Sequence, residues 1–456
     1  MNTNEKTLEP EMDNYQKRLV DNCFEEGQYA SGVKTLDQLR SPTHRPAANH
    51  IQQLLYIALY PHNANKAPQI PGSPSKMDKR WIKIQTLSIS RDTSLAAQNV
   101  LFSFAQTNSL EAIFKALPAC SRNEDPTSSD MDSALANEAL CIPRCKSCWN
   151  LLAKDFIRPG GDLHNERRRH NVNSDSEEES AESVVAEHAW PILEWLLFLF
   201  ERDEAFAERE GLPRYSPFLL DQIPVPRGER NLRWEVDAPL DIMFSCLGAS
   251  ESRQLLGVRL LSLIINLSCT SYFDFQAFLV SVYKRVSARS NILDLFLTLM
   301  SRLPSTQAVL RFKVAFLHRC IGPTAAANAG ASSKTARPKP QVRVQPKQRR
   351  RGEAVPEPTP SETPNQNQPT ASRPAMPSFV DISEALEGSS ADNSAKFELL
   401  VSYWTLQSQL EASERDSDWI ELRNNGRWES LLNVVFRDGD GADNYRTTLG
   451  ILGSTW

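Results

Sequence analysis

Apolar residues recur along most of the chain at intervals of three and four, which is the period of an amphipathic α-helix. Near the N-terminus, Tyr15, Leu19 and Cys23 lie on one such face. The same spacing predicts helices over residues 15–23, 29–36, 51–58 and 95–104. No set of segments alternates between apolar and polar residues as the strands of a sheet would. We therefore expect an all-α protein.

The most apolar part of the chain runs from Leu255 to Leu267, where apart from a glycine the only interruptions are Arg259, Ser262 and Asn266. These three residues form one narrow polar stripe, so neighbouring elements must cover the helix on most sides. Helical patterns flank it at 191–206, 238–247, 274–287, 290–302 and 306–320. Successive helices of this kind favour an irregular helical stack of armadillo or HEAT type. No motif repeats at a fixed period, so a non-repeating helical bundle is an equal alternative.

A proline-rich stretch divides the chain into a large N-terminal body and a small C-terminal module. Residues 322–377 contain no Leu, Ile, Phe, Trp or Tyr but hold 11 of the 29 prolines. Such a segment cannot form a core, so we predict a long disordered linker. The predicted domains are an N-terminal helical block (1–120), a Cys-containing helix plus charged loop (121–183), an armadillo- or HEAT-like helical core (184–321), a disordered proline-rich basic linker (322–393) and a C-terminal helical module (394–456).

The C-terminal module is predicted to contain helices at 395–412, 418–424 and 427–436. Asp418 and Glu421 have the three-residue spacing of a capping box, which predicts that the middle helix begins at Asp418.

Composition narrows the class of protein. Only 18 of the 456 residues are glycine, about 4%, whereas globular chains average about 7% and dinucleotide-binding folds need glycine at their phosphate-binding turns. No apolar run approaches the roughly 20 residues of a membrane span, so we expect no membrane association. The first 40 residues lack a signal-peptide core, and the eight cysteines are therefore expected to be reduced.

Three cysteines, Cys141, Cys145 and Cys148, form the strongest candidate for chemistry. Cys145 and Cys148, followed by His164 and His170, have the loose spacing of a two-Cys, two-His zinc site. The three thiols also have the spacing of an iron–sulfur loop, but the glycine-poor, helical composition disfavours it. We favour a third interpretation, in which Cys145 and Cys148 lie on the buried face of a helix that starts at Pro143, together with Trp149, Leu152 and Phe156. No cofactor is then expected, and zinc is the alternative.

Residues 334–351 carry eight basic side chains and no acidic one. The run centres on Lys347, Arg349, Arg350 and Arg351 and is typical of a nuclear import signal, which predicts importin as a partner. It is equally suited to binding nucleic-acid phosphates without sequence preference. A solvated basic linker is the third interpretation.

The charged loop contains candidate phosphorylation sites at Ser174 and Ser176, each with an acidic residue three positions later.

No phosphate-binding loop, metalloprotease helix, nucleophile elbow or kinase catalytic loop is found in the sequence. We therefore expect a non-catalytic nuclear scaffold or adaptor, a regulatory subunit that binds other proteins through its helical surfaces. Genome maintenance, meaning the DNA damage response or chromatin, is a guess that rests on the expected compartment. The alternative is a zinc-containing nucleic-acid-binding protein.

Overall fold

The helical periodicity of the sequence is realised throughout the computed structural model, which describes residues 9–62, 87–118, 133–157, 184–223, 236–270, 273–288, 290–322, 376–389, 391–437 and 441–454. Within these ranges every extended element is a helix and no β-strand occurs, which confirms the all-α helical stack. The armadillo- or HEAT-like arrangement of these helices stays a prediction. Two compact units are distinguished, 1–313 and 314–456, and the boundary between them falls inside one helix.

Most helices of the N-terminal unit were predicted from the sequence. They are α1 (Asn14–Glu25), α2 (Tyr29–Leu39), α3 (Ala48–Ala58), α4 (Arg91–Thr107), α5 (Leu110–Phe114), α6 (Ala134–Ala139), α7 (Trp190–Arg209), α8 (Pro217–Asp221), α9 (Asp237–Leu247), α10 (Glu251–Asn266), α11 (Phe275–Ser287), α12 (Ser290–Ser301) and α13 (Gln307–Ile321), which crosses the unit boundary. Short 3-10 helices occur at Cys148–Leu152, Glu187–Ala189 and Leu267–Cys269.

In the first part of the stack, side chains of α4 form hydrogen bonds with the C-terminal carbonyl groups of α3. The last carbonyl groups of α3 need hydrogen-bond donors because a helix leaves the carbonyl groups of its final turn unpaired. Ser94 Oγ donates to the carbonyl of Ile57 at 2.7 Å, and Gln98 Nε2 donates to that of Ala58 at 3.2 Å. Both donors lie on α4, so these bonds tie α4 to the end of α3.

The polar stripe predicted on α10 faces α7. Arg259 forms a two-pronged ion pair with Glu201 at 2.7 and 2.8 Å, and Asn266 donates to Glu204 at 3.0 Å. The opposite side of α10 approaches α9 closely, since a Cβ at Gly257 would lie 2.9 Å from the Cβ of Cys246. The prediction that α10 is covered on most sides is confirmed by the burial of its apolar residues.

The segment after Pro143 differs from the predicted helix. Turns follow α6, and the chain then forms only the 3-10 helix Cys148–Leu152. Ser147 and Asn150 cap this short helix reciprocally, and the backbone N–H of Cys148 donates to the side chain of Gln222 at 2.8 Å. These polar contacts hold a single short turn in place where an apolar helical face was expected.

The C-terminal unit contains five further helices, of which three were predicted. They are α14 (Phe379–Glu387), α15 (Asn393–Gln409), α16 (Ser417–Asn424), α17 (Arg427–Val435) and α18 (Ala442–Ser454). Helix α14 lies inside the range 322–393 that the sequence assigned to a linker, so the module begins earlier than predicted. Its start is defined by a capping box between Ser378 and Asp381.

The predicted capping box at Asp418 is also wrong. Helix α16 is capped by Asp416, whose side chain accepts the backbone N–H of Asp418 at 2.9 Å. The other oxygen of the same carboxylate accepts the Tyr403 hydroxyl at 2.6 Å and the backbone N–H of Phe379 at 2.7 Å. Asp416 therefore joins α14, α15 and α16 through its carboxylate, and these contacts decide where α16 starts.

Candidate functional site

Three tryptophans from successive helices of the C-terminal unit contact one another. Trp404 lies on α15, Trp419 on α16 and Trp428 on α17. Their ring centroids are 5.0 to 5.7 Å apart, and Trp419 meets each of the others edge to face, at 86° and 85°. This arrangement is favourable because the positive edge of one ring meets the negative face of the next.

The three indoles form one wall of a groove with a volume of about 290 Å³. They are 5 to 7% exposed, so each presents a narrow strip of ring to the groove. The groove is lined by Trp404, Trp419, Leu422, Arg423, Gly426, Trp428, Glu429, Gly450 and Gly453. By contrast, a cavity between α9, α10 and α12 in the N-terminal unit has about 20 Å³, which is room for a single water.

Glycines keep the groove open. A Cβ at Gly450 would meet no described atom within 4 Å beyond the adjoining backbone, so this position faces empty space. A Cβ at Gly453 would instead lie 2.7 Å from both Cδ1 and Nε1 of Trp428. Gly453 therefore allows α18 to approach the indole, and Gly450 leaves the space beside it free.

The turn between α16 and α17 positions the third tryptophan. Gly426 has φ of 66°, in the left-handed region that favours glycine, and α17 begins at the next residue. The indole N–H of Trp428 then donates to the carbonyl of Leu449 on α18 at 3.1 Å. Because this bond is buried, it fixes the ring against α18 and sets the width of the groove.

The aromatic cluster continues behind the groove. Trp419 contacts Phe379 and Tyr403, with ring centroids 5.2 and 5.5 Å away. Burial raises the pKa of Tyr403, and the Asp416 carboxylate raises it further, so the hydroxyl stays protonated and donates to Asp416. These contacts pack Trp419 against the aromatic rings of α14 and α15.

Charged side chains lie at the edge of the groove. Arg423 and Glu429 both line it and both are exposed. The site therefore combines flat aromatic surface with a donor and an acceptor of opposite charge. This combination can bind an extended peptide, whose side chains stack on the rings while its polar groups meet the edge.

A second cluster of ionisable side chains lies between α7, α8 and α10. The buried carboxylate of Glu204 accepts from Asn266 and contacts Arg214. Its neighbour Asp203 accepts from the Ser216 hydroxyl at 2.7 Å, and burial raises the pKa of Asp203. These groups connect three helices to one another, so we assign them a structural role.

The structure describes two of the four predicted zinc ligands, Cys145 and Cys148. Cys148 is buried, and the thiol of Cys145 donates to the carbonyl of Cys141 at 3.3 Å. Burial raises the pKa of Cys141 to about 12 and that of Cys145 to about 11. His164 and His170 lie outside the described residues. Within the described ranges no group of three or more His, Cys, Asp and Glu is arranged to hold a metal ion, and the four-ligand site stays a prediction that elemental analysis of the purified chain tests.

The remaining predicted sites also lie outside the described residues. They are the basic residues Lys347, Arg349, Arg350 and Arg351 and the candidate phosphorylation sites Ser174 and Ser176.

Sequence reasoning missed the groove. One signal for it was present, because three of the nine tryptophans fall between 404 and 428 and two glycines follow at 450 and 453. These residues lie on four different helices, and helical periodicity, which relates positions within one helix, does not connect them.

Comparison with known proteins identifies no relative. No family model matches the chain, and neither the curated proteins nor the solved structures contain a match. Among the helices that the structure describes, none has the length and apolar character required to span a membrane.

Proposed function

We propose that the chain is a non-catalytic helical adaptor of a multiprotein complex and that the tryptophan-lined groove is one of its peptide-binding surfaces. The observation that carries the proposal is the groove itself, which is lined by three indoles and by Gly450, where a Cβ would meet no described neighbour within 4 Å. Tryptophan is the residue most enriched among those that dominate binding energy at protein interfaces. Its ring presents a large, rigid surface and loses little conformational entropy on binding.

The dimensions of the groove favour a peptide segment as its ligand. About 290 Å³ lies at the lower end of the range for small-molecule pockets, and the groove opens to solvent along its charged edge. A peptide can place one or two side chains against the tryptophans while the rest of its backbone continues across the exposed helices.

A peptide library displayed against the full-length protein tests this role. Gly450→Phe adds a ring at a lining position where a Cβ meets no described neighbour within 4 Å, so we expect the ring to fill the groove. Thr448→Phe places the same side chain on the exposed surface of the same helix. Selected peptides should lose at least tenfold in affinity for Gly450→Phe and keep their affinity for Thr448→Phe. If both variants bind as the wild type does, the groove is not the peptide site.

We further propose that the adaptor acts in the nucleus and that residues 334–351 are its import signal. Eight basic residues in 18 positions support this, and genome maintenance is the process we propose for it. Deletion of 334–351 should move the protein to the cytoplasm. Deletion of 353–370 is a matched control, since it removes the same number of residues and five prolines but no Lys or Arg. Nuclear retention after the first deletion would contradict the proposal.

A further inference from the structure

The C-terminal module and the segment that precedes it have opposite charge. Residues 376–456 contain 14 Asp and Glu against 6 Lys and Arg, whereas residues 334–351 contain eight basic residues and no acid. Glu429 and Arg423 both line the groove, and α16 also carries the exposed acidic residues Asp418 and Glu421, so the excess of negative charge belongs to the module as a whole. A cationic peptide that reaches the groove therefore gains Coulomb energy, and charge of this kind raises the association rate most of all.

The segment 334–351 also has side chains that suit an indole wall. Its prolines, Pro338, Pro340 and Pro346, are separated by basic residues, as in the run Arg337-Pro338-Lys339-Pro340. Proline-rich peptides bind aromatic grooves because the ring of proline packs flat on an indole and the backbone is already extended. Lysine and arginine can add an attraction between their cations and an indole face.

The distance along the chain permits binding within one molecule. Arg351 is 25 residues before Met376, where the described C-terminal residues begin. A stretch of 25 residues can span at most about 80 to 90 Å, which is far longer than a module of about 80 residues is wide, given a radius of gyration of roughly 12 Å. No second copy of the chain is needed to bring the segment to the groove.

We propose that the groove binds residues 334–351 of its own chain, as a cationic segment with prolines against Trp404, Trp419 and Trp428. The proposal rests on the peptide-binding function of the groove and names its occupant. Glu429 lines the groove and is exposed, so in the proposed complex it pairs with a Lys or Arg of the segment.

The test uses the full-length chain with 334–351 deleted, so that the groove is vacated, and a fluorescent synthetic peptide of residues 334–351. Fluorescence anisotropy should show binding, with an affinity at least tenfold weaker for Gly450→Phe and unchanged for Thr448→Phe in the same deletion background. Amide hydrogen exchange of residues 442–454 checks that each variant is folded.

A charge-reversal pair tests the same contact without filling the groove. Glu429→Lys should weaken peptide binding, whereas Ser430→Lys, exposed on the same helix but not lining the groove, should weaken it much less. A peptide of residues 353–370 distinguishes the contribution of proline to binding from that of positive charge, because it has five prolines and three acidic residues but no Lys or Arg. It should bind at least tenfold more weakly than the basic peptide.

A competition experiment tests whether the chain's own segment 334–351 occupies the groove. The undeleted chain should bind the added 334–351 peptide at least threefold more weakly than the deleted chain, because its own segment competes. Equal affinities of the two chains, or equal affinities of the two peptides, would overturn the proposal. Absence of peptide binding to the deleted chain would also overturn it. In that case the adaptor function would still be supported if library peptides of other composition bind the wild type and lose affinity for Gly450→Phe.

Discussion

Two glycines three residues apart on α18 should respond in opposite ways to the same substitution. Glycine inside a helix costs about 0.5 to 1 kcal/mol relative to alanine, because the unfolded chain loses more backbone entropy on folding. At Gly450 a Cβ meets no described neighbour within 4 Å. Gly450→Ala should therefore stabilise α18 by about 0.5 to 1 kcal/mol.

Gly453→Ala places the same methyl group 2.7 Å from two atoms of the Trp428 ring. Contacts this short force a side chain or the backbone to move, which costs about 1 to 3 kcal/mol in a packed region. The displaced atom Nε1 also donates to Leu449, so a hydrogen bond worth about 1 kcal/mol is weakened. The helix gain is common to both variants and cancels, so they should differ by the cost of the overlap and of the weakened bond, about 1.5 to 3 kcal/mol.

Amide hydrogen exchange of the peptide covering 442–454, measured in the full-length chain, reports the local stability of α18. Since 1.4 kcal/mol is a factor of ten, exchange in Gly453→Ala should be roughly 10 to 100 times faster than in Gly450→Ala, with the wild type in between. Far-UV circular dichroism should be the same for all three proteins. Equal protection in the two variants would show that Trp428 does not pack against Gly453, and the described groove wall would then be incorrect.

Two further predictions concern the N-terminal unit. Gly32→Ala should destabilise the first two helices by about 1 to 3 kcal/mol, because the added Cβ would overlap the buried ring of Phe24. Thermal unfolding should show a lower Tm for this variant and an unchanged Tm for the control Ser31→Ala, which is exposed. Because burial raises the pKa of Asp203, the stability it contributes is present below the ordinary pKa of an aspartate and is lost as pH rises through the raised value. Asp203→Asn should remove that part of the pH dependence of Tm, which lies above about pH 4, and an unchanged profile would contradict the assignment.

Helices with a long apolar face could be predicted from the sequence, because their burial depends on a pattern within one element. α10 is the clearest case, since its polar stripe faces α7 through Arg259 and Asn266 as the spacing requires. α14 was missed although it has a capping box at Ser378 and Asp381, because it follows a long proline-rich stretch. Five-residue helices such as α5 and α8 are too short for a period to be recognised.

Features that depend on contacts between elements could not be predicted in this way. Only Asp418 was predicted as a cap of α16, from its spacing to Glu421, whereas the structure has Asp416, two residues earlier, in that position. Asp416 is selected because its carboxylate also accepts from Tyr403 and Phe379, which are close only in the folded module. The groove has the same origin, since its walls come from four helices.

The two roles proposed for residues 334–351 constrain each other, because the same basic side chains cannot contact the groove and an import receptor at once. The sequence predicts an unstructured tether between the segment and the module, for which the effective concentration is on the order of 1 mM. A groove that binds the segment with a Kd of about 0.1 mM would then be occupied about ten times as often as it is empty. A receptor that needs the free segment would bind about tenfold more weakly, which corresponds to about 1.4 kcal/mol. Gly450→Phe should therefore leave the segment free and strengthen receptor binding by that factor, whereas deletion of 334–351 should abolish it.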